Sequence, residues 1–233
     1  MMLGVVFVLA LFFGLSNYGY AAEKGLVGSW KFDEGKGSIA KDAMNRKGNG
    51  KIYGAAWVNG KSGKALSFDG IDDVVVVATD GSLDSKSFTL ELWLNPTYKV
   101  SEDDGFFYSS PAVLRFSLYK VTHRAWVRWK KADANYATYY FTKTAVPQNE
   151  WSYLAFTYDN ETDVLTGYRN GKLGIVNTSV GGIYKEFGGV IKIGNGLNTG
   201  KYFKGVIDEV RVYNRALTAE EIKNYYDTKK LSC

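Results

Sequence analysis

Between Leu114 and Tyr140 cationic and aromatic side chains alternate with apolar ones, a pattern suited to holding a ligand rather than to breaking a bond. If Leu114, Phe116 and Leu118 point inward from a strand, Arg115, Ser117 and Tyr119 point outward. If Ala125, Val127 and Trp129 are inward, Arg124, Trp126, Arg128 and Lys130 are outward, and the same parity adds Tyr136, Thr138 and Tyr140. Flat rings stack on the C–H faces of sugars while guanidinium groups donate in-plane hydrogen bonds, the few oriented contacts that a ligand site needs. Arg115, Tyr119, Trp126, Arg128, Tyr136 and Tyr140 are therefore the candidate ligand-binding residues. From Gly105 to Ala132 there is no acid, while Arg115, Lys120, Arg124, Arg128, Lys130 and Lys131 bring six positive charges that would attract an acidic glycan or an acidic protein surface. The parity is equally satisfied if Trp126 and the tyrosines pack under a loop or sheet edge and the cations form a solvated face.

A second constellation is acidic. Val206, Val210 and Val212 share strand parity with Asp208, so valines in the core would carry an aspartate to the sandwich edge, where an unpaired charge is costly. Glu34 shares parity with Trp30 and Phe32 near the start of the chain, and pairing of first and last strands would bring Asp33 or Glu34 towards Asp208. Carboxylates with backbone carbonyls form the oxygen-rich shell that Ca²⁺ takes, which makes Asp33, Glu34 and Asp208 the candidate calcium ligands, ahead of Asp42 and Asp72. Backbone amides or Arg211 would satisfy Asp208 equally well.

Catalytic chemistry has little support. There is one histidine, His123, in the loop sequence Lys120-Val121-Thr122-His123-Arg124, and one cysteine, Cys233, so mechanisms needing two histidines and any internal disulfide are excluded. No glycine-rich phosphate loop or Cys/His metal cluster occurs. Glu161 and Asp163 follow Asp159-Asn160 in a hairpin-turn sequence, and Glu91 and Asp208-Glu209 stand on separate strands.

The elements that must position these residues read as β-structure. Ten short segments rich in β-branched or aromatic residues, Leu26 to Phe32, Val74 to Ala78, Phe88 to Leu94, Ala112 to Tyr119, Arg124 to Lys130, Tyr136 to Thr142, Trp151 to Tyr158, Val164 to Arg169, Val190 to Ile193 and Val206 to Tyr213, are spaced as in a sandwich or barrel. Phe88 to Leu94 alternates cleanly, with four apolar side chains on one face and Thr89, Glu91 and Trp93 on the other. Asn170-Gly171 predicts a tight hairpin because both positions tolerate positive φ. Only the end of the chain is helical: Thr218 and Glu221 form a capping box, and Ile222, Tyr225 and Tyr226 make an apolar stripe.

The 26 glycines, 3 prolines and 36 aromatic residues agree with a turn-rich β protein, and the net charge of +5 is too small to imply nucleic acid by itself. The first 22 residues are uncharged, and Leu3 to Leu15 is an apolar run of 13, short of the roughly 20 that span a bilayer. Gly19 and Ala21 then suit cleavage after Ala21, so residues 1–21 read as a signal peptide, 22–228 as one domain and 229–233 as a tail. The chain is expected to be secreted or at the cell surface, with no membrane span once processed, although the missing basic residue before the run leaves an uncleaved anchor as the alternative.

The order of motifs is itself informative. Gly28-Ser29-Trp30-Lys31-Phe32-Asp33-Glu34-Gly35, Asp42 to Gly50, Gly63 to Gly70 with Asp72-Asp73-Val74-Val75, Phe88-Thr89-Leu90 ending in Trp93, Trp151 to Ala155, Tyr168 to Lys172 and Phe203 to Leu217 together resemble the laminin G-like, concanavalin A-like lectin/glucanase modules. The resemblance covers nearly all of the mature chain and implies an all-β jelly-roll sandwich of two antiparallel sheets with a short C-terminal helix. It also implies a structural calcium near the chain ends in many members. The chain departs from it at Val74, where tyrosine is frequent, and across Lys99 to Thr144, which matches no motif. Glucanases of the superfamily carry Glu-x-Asp-x-x-Glu or a close variant, since hydrolysis needs an acid and a nucleophile flanking one bond, and that spacing is absent. The reading is a secreted, non-catalytic carbohydrate-binding module. A laminin G-like protein-interaction or structural module is the alternative and a glycoside hydrolase a distant third. Export argues against nucleic acid as the partner.

Overall fold

The computed structural model describes residues 23–44, 48–78, 81, 85–98, 103–110, 114–183, 189–195 and 200–231. The leader expectation for residues 1–21 and the thiol of Cys233 lie outside the described residues.

The strands are β1 (Leu26–Trp30), β2 (Ile39–Ala40), β3 (Gly50–Tyr53), β4 (Ala56–Asn59), β5 (Lys64–Asp69), β6 (Val74–Ala78), β7 (Phe88–Pro96), β8 (Asp104–Ser110), β9 (Leu114–Leu118), β10 (Ala125–Lys130), β11 (Tyr136–Tyr140), β12 (Ser152–Asp159), β13 (Val164–Arg169), β14 (Lys172–Thr178), β15 (Val190–Ile193) and β16 (Lys204–Tyr213). One helix, α1 (Ala219–Lys229), follows. One sheet runs β14-β13-β12-β7-β16-β5-β4 with β1 also on β16, and the other runs β11-β10-β9-β8-β15-β6-β3-β2. All the pairings between named strands are antiparallel. The expected β-sandwich is therefore what forms.

Alternation decides the layers. Phe88, Leu90, Leu92 and Leu94 enter the core between the sheets, where Phe116, Val127 and Trp129 from the opposite sheet meet Phe156 and Leu154. Phe116 and Phe156 touch edge to face at 4.8 Å. The other side of β7 is not left to solvent. Trp93 joins Tyr153, Tyr168 and Tyr213 in a second apolar cluster that Ile222, Tyr225 and Tyr226 of α1 cover. The helix starts where the capping box requires: Glu221 N donates to Thr218 Oγ at 3.2 Å, and Thr218 N donates to Glu221 Oε2 at 2.8 Å. Asn170 and Gly171, at φ 51° and 70°, make the expected tight turn between β13 and β14.

One irregularity changes which side chains face which way. In β16, Asp208 pairs with Trp93 but Arg211 pairs with Glu91, so an extra residue is inserted between them, and Glu209 takes a φ of 51°. The bulge lies where β16 exchanges its neighbour β5, held up to Ile207, for β1, held from Val210 onward. Ile207, Val210 and Val212 reach the core. Asp208, paired with Trp93, faces the opposite side of the sheet. The expectation that Asp208 shares a face with Val210 and Val212 is thus corrected, because strict alternation fails across a bulge.

Candidate functional site

The strand register assembles the cation and ring residues on one surface. Ser117 pairs with Trp126 and Trp126 with Tyr140, while Arg115 pairs with Arg128 and Arg128 with Thr138. Residues directly opposite in a sheet share a face. Leu114, Phe116, Leu118, Ala125, Val127 and Trp129 lie on the reverse face, buried in the core. The outer face of β9, β10 and β11 therefore carries Arg115, Trp126, Arg128, Tyr136 and Tyr140 together. Tyr119 stands half-buried at its edge, edge to face with Tyr140 at 6.2 Å.

Trp126, Tyr136 and Tyr140 each have a guanidinium over the ring. The distances from guanidinium carbon to ring centroid are 4.9 Å for Arg115 over Trp126, 4.4 Å for Arg124 over Tyr140 and 5.0 Å for Arg128 over Tyr136. Arg115 is tied down further, with Nε donating to Ser117 Oγ at 3.0 Å and Nη2 lying 3.6 Å from Asp103 Oδ2. Burial lowers its pKa, Asp103 opposes the shift and the neighbouring charge of Arg128 adds to it.

Exposure separates the members. Arg128 and Tyr136 are open to solvent, whereas Trp126 is only 6% and Arg115 only 8% exposed. The reading of Trp126 and Arg115 as open contact residues is corrected: the arginine stem and guanidinium lie over the indole, and each covers part of the other. Asp103 and Ser117, which fix Arg115, carried no sequence signal as site residues, since one precedes a strand and the other is a small hydroxyl among larger groups.

The carboxylates singled out for calcium do not converge. Asp33 Oδ1 accepts from Lys64 N at 3.0 Å, Glu34 Oε1 accepts from Lys41 N at 3.0 Å and Asp208 Oδ2 accepts from Ser62 N at 3.0 Å. Asp33 and Asp208 thus hold the hairpin loop between β4 and β5 through its amides, and Asp33, Glu34 and Asp208 do not form a group of three with oxygens within 4.8 Å of one another. Burial pushes the Asp208 carboxyl up to about 7. Asp42 accepts from the amides of Ser29 and Met44, both at 3.0 Å. Among the described residues the carboxylates that converge are Asp69, Asp72 and Asp73, with one oxygen of each within 4.8 Å of the others. Of these, Asp73 Oδ2 already accepts from Asp69 N at 2.8 Å.

The remaining titratable groups are absorbed into packing. His123, at φ 51°, stacks on Tyr98 with ring centroids 3.6 Å apart, and burial lowers its pKa. Burial opposes ionisation of Asp163, yet the amides of Gly181 and Gly182 and the Tyr158 hydroxyl hold its carboxyl below the usual range. Glu91 is fully buried beneath α1, where the Tyr153 hydroxyl donates to it and Arg211 Nη1 stands 3.4 Å away. It borders a cavity of about 780 Å³ lined also by Arg211, Tyr213 and Tyr225.

Comparison with solved structures places the fold among known binding domains. The binding domain of Paraclostridial Mosquitocidal Protein 1 superposes with a TM-score of 0.71 at 18% identity, over 88% of this chain and 52% of that one. Domain 4 of AbnA, an extracellular arabinanase from Geobacillus stearothermophilus, solved with arabinotriose, gives 0.68 at 24% identity over 85% of this chain and 97% of that one. The botulinum neurotoxin serotype D ligand-binding domain, solved with N-acetylneuraminic acid, gives 0.66 at 13% identity over 89% of this chain and 52% of that one. The chain spans about half the length of the mosquitocidal and neurotoxin domains and nearly all of the arabinanase domain. No curated protein matches by sequence. The family model of the concanavalin A-like lectin/glucanases superfamily matches residues 69–223, from β5 to the middle of α1, and the chain belongs to that family.

Proposed function

We propose that this chain is a secreted, non-catalytic carbohydrate-binding module whose ligands are acidic glycans, held on the outer face of β9, β10 and β11. The observation that carries the reading is the set of three guanidinium-over-ring pairs on one sheet face, with Arg128 and Tyr136 accessible to solvent. Rings held by cations keep a fixed geometry, and the guanidinium N–H groups that point away from them donate to carboxylate or sulfate oxygens. The solved arabinanase domain with arabinotriose and the neurotoxin domain with N-acetylneuraminic acid show the same fold accommodating sugars, which supports the assignment by analogy of fold. Export is supported by the uncharged apolar run Leu3 to Leu15 followed by Gly19 and Ala21. Among the described residues no helix is long and apolar enough to cross a membrane.

A glycan array probed with the mature protein, with calcium and with chelator, tests the proposal. Retention on uronate- or sulfate-bearing glycans, lost in Arg128→Gln, is expected. A silent array, with capture of an acidic extracellular protein by the wild type but not by Arg128→Gln, would assign the face to protein interaction instead.

A further inference from the structure

The register of the second sheet continues the basic face far beyond β9, β10 and β11. Starting from Thr138, directly opposed residues are Arg128, Arg115, Tyr108, Lys192, Val76, Lys51 and Ile39, one from each successive strand across all eight. The neighbours of this row along the strands, such as Phe107, Ile191, Ile193, Val75 and Val77, are buried in the core, so the row itself faces outward. Arg128, Arg115, Lys192 and Lys51 make it cationic, and it contains no acid.

Two features of the row call for an anion. Arg115 and Arg128 are directly opposed across β9 and β10, a like-charge pair that destabilises a sheet unless a counter-charge lies between or over them. Asp103 supplies only one carboxylate, 3.6 Å from Arg115, and none is paired with Arg128 among the described residues. The rings beside the row are also partnered, with Lys51 Nζ 4.9 Å above Tyr53 at one end and Arg128 above Tyr136 at the other. Single-stranded nucleic acid binds by stacking bases on open rings. Here a cation covers one face of each of these rings, and the surface offers outward N–H donors beside the ring area left open.

We infer that the outer face of this sheet binds one extended polyanionic polysaccharide lying across the strands, from Arg128 over the covered Arg115 and past Lys192 to Lys51. The inference rests on the proposed glycan-binding face and extends it to residues 51 and 192. Five strand spacings of about 4.8 Å separate β10 from β3, so the track is about 24 Å long. A ligand that engages Arg128, Lys192 and Lys51 must be an oligomer of that span, with anionic groups repeating along it.

Size-fractionated heparin oligosaccharides, used as densely anionic probes, test this by calorimetry on the mature protein. Lys51→Gln and Lys192→Gln are each expected to weaken binding of fractions longer than the track about two- to five-fold, and to flatten the salt dependence, while leaving a disaccharide unaffected. Arg128→Gln should weaken both. Lys51 is exposed, so its replacement leaves the core intact, and unchanged melting confirms this. Long fractions bound by Lys51→Gln and Lys192→Gln as tightly as by wild type would overturn the track while leaving the face near Arg128 intact. Failure of every fraction, the disaccharide included, would overturn the acidic-glycan reading itself. Equal affinity for single-stranded DNA of matching length would overturn the assignment to polysaccharide.

Discussion

Arg211 and Glu91, directly paired on β16 and β7, face each other at 3.4 Å beneath the C-terminal helix, both almost without solvent contact. Arg211 also pairs with Glu23 and lies 4.0 Å under the ring of Tyr225, so one guanidinium joins the first strand region, the sheet and the helix. Burial raises the Glu91 carboxyl to about 8, so it is above that pH that removing Arg211 strands a buried charge. Arg211→Leu is expected to cost about 3 to 5 kcal/mol in urea unfolding at about pH 9. The double variant Glu91→Leu/Arg211→Leu should recover much of that loss, because no charge then remains uncompensated. A double variant no more stable than Arg211→Leu would show that the pair is not the source of the cost.

Asp208 predicts a pH dependence. Its carboxyl is raised by burial to about 7 in the folded protein against an ordinary value of 3.8. The folded state therefore binds a proton more tightly than the unfolded state. The favourable contribution is complete below about pH 4 and is lost as pH rises through 7. Between pH 5 and 8 the wild type should lose stability relative to Asp208→Asn, which keeps an oxygen for the Ser62 amide but has no charge to bury. Parallel stability curves over that interval would remove Asp208 as the cause.

Trp126 and Tyr136 should behave oppositely although both lie on the candidate face. Trp126 is buried under Arg115, so Trp126→Ala is expected to lower stability by roughly 3 kcal/mol. Tyr136 is 51% exposed, so Tyr136→Ala should change stability by less than about 0.5 kcal/mol and weaken glycan binding instead. Thermal melts and titrations on the same preparations distinguish the two effects.

The helix cap offers a smaller test. Thr218→Ala removes the acceptor for Glu221 N and should cost about 1 kcal/mol. Arg215 makes two hydrogen bonds to the Glu221 carboxylate, at 2.6 and 2.9 Å, and holds its carboxyl down to about 2. The cap should therefore survive acidification to about pH 4, which circular dichroism of wild type against Thr218→Ala would reveal as a constant difference.

Much of the architecture is local in origin and was readable from the chain alone. The alternation of Phe88 to Leu94, the turn at Asn170-Gly171 and the cap at Thr218 each depend on neighbours a few residues away, and each forms as read. Strands β2, β3, β4, β5, β8 and β14 fall outside the ten segments that carry a strand signal in the sequence. Lys64–Asp69 lies inside a run of Gly, Ser and Asp, Asp104–Ser110 mixes Gly and Ser with its aromatics, and Lys172–Thr178 is an edge strand with little burial. Pairing with β16, β9 and β13, not intrinsic preference, makes them strands.

The candidate face divides in the same way. Strand parity alone gives each strand's outward set, Arg115 on β9, Trp126 and Arg128 on β10 and Tyr136 and Tyr140 on β11, because alternation is a property of a single strand, and the register joins the three sets on one side. Whether Trp126 was open or covered depended on where the long Arg115 side chain came to rest, and only packing decides that. The bulge at Glu209, which turned Asp208 away from the valines, arises where β16 changes partners, a fact about three strands at once. Lys51 and Lys192 are 141 positions apart, and only the register through β6 brings them into one row with Arg115 and Arg128.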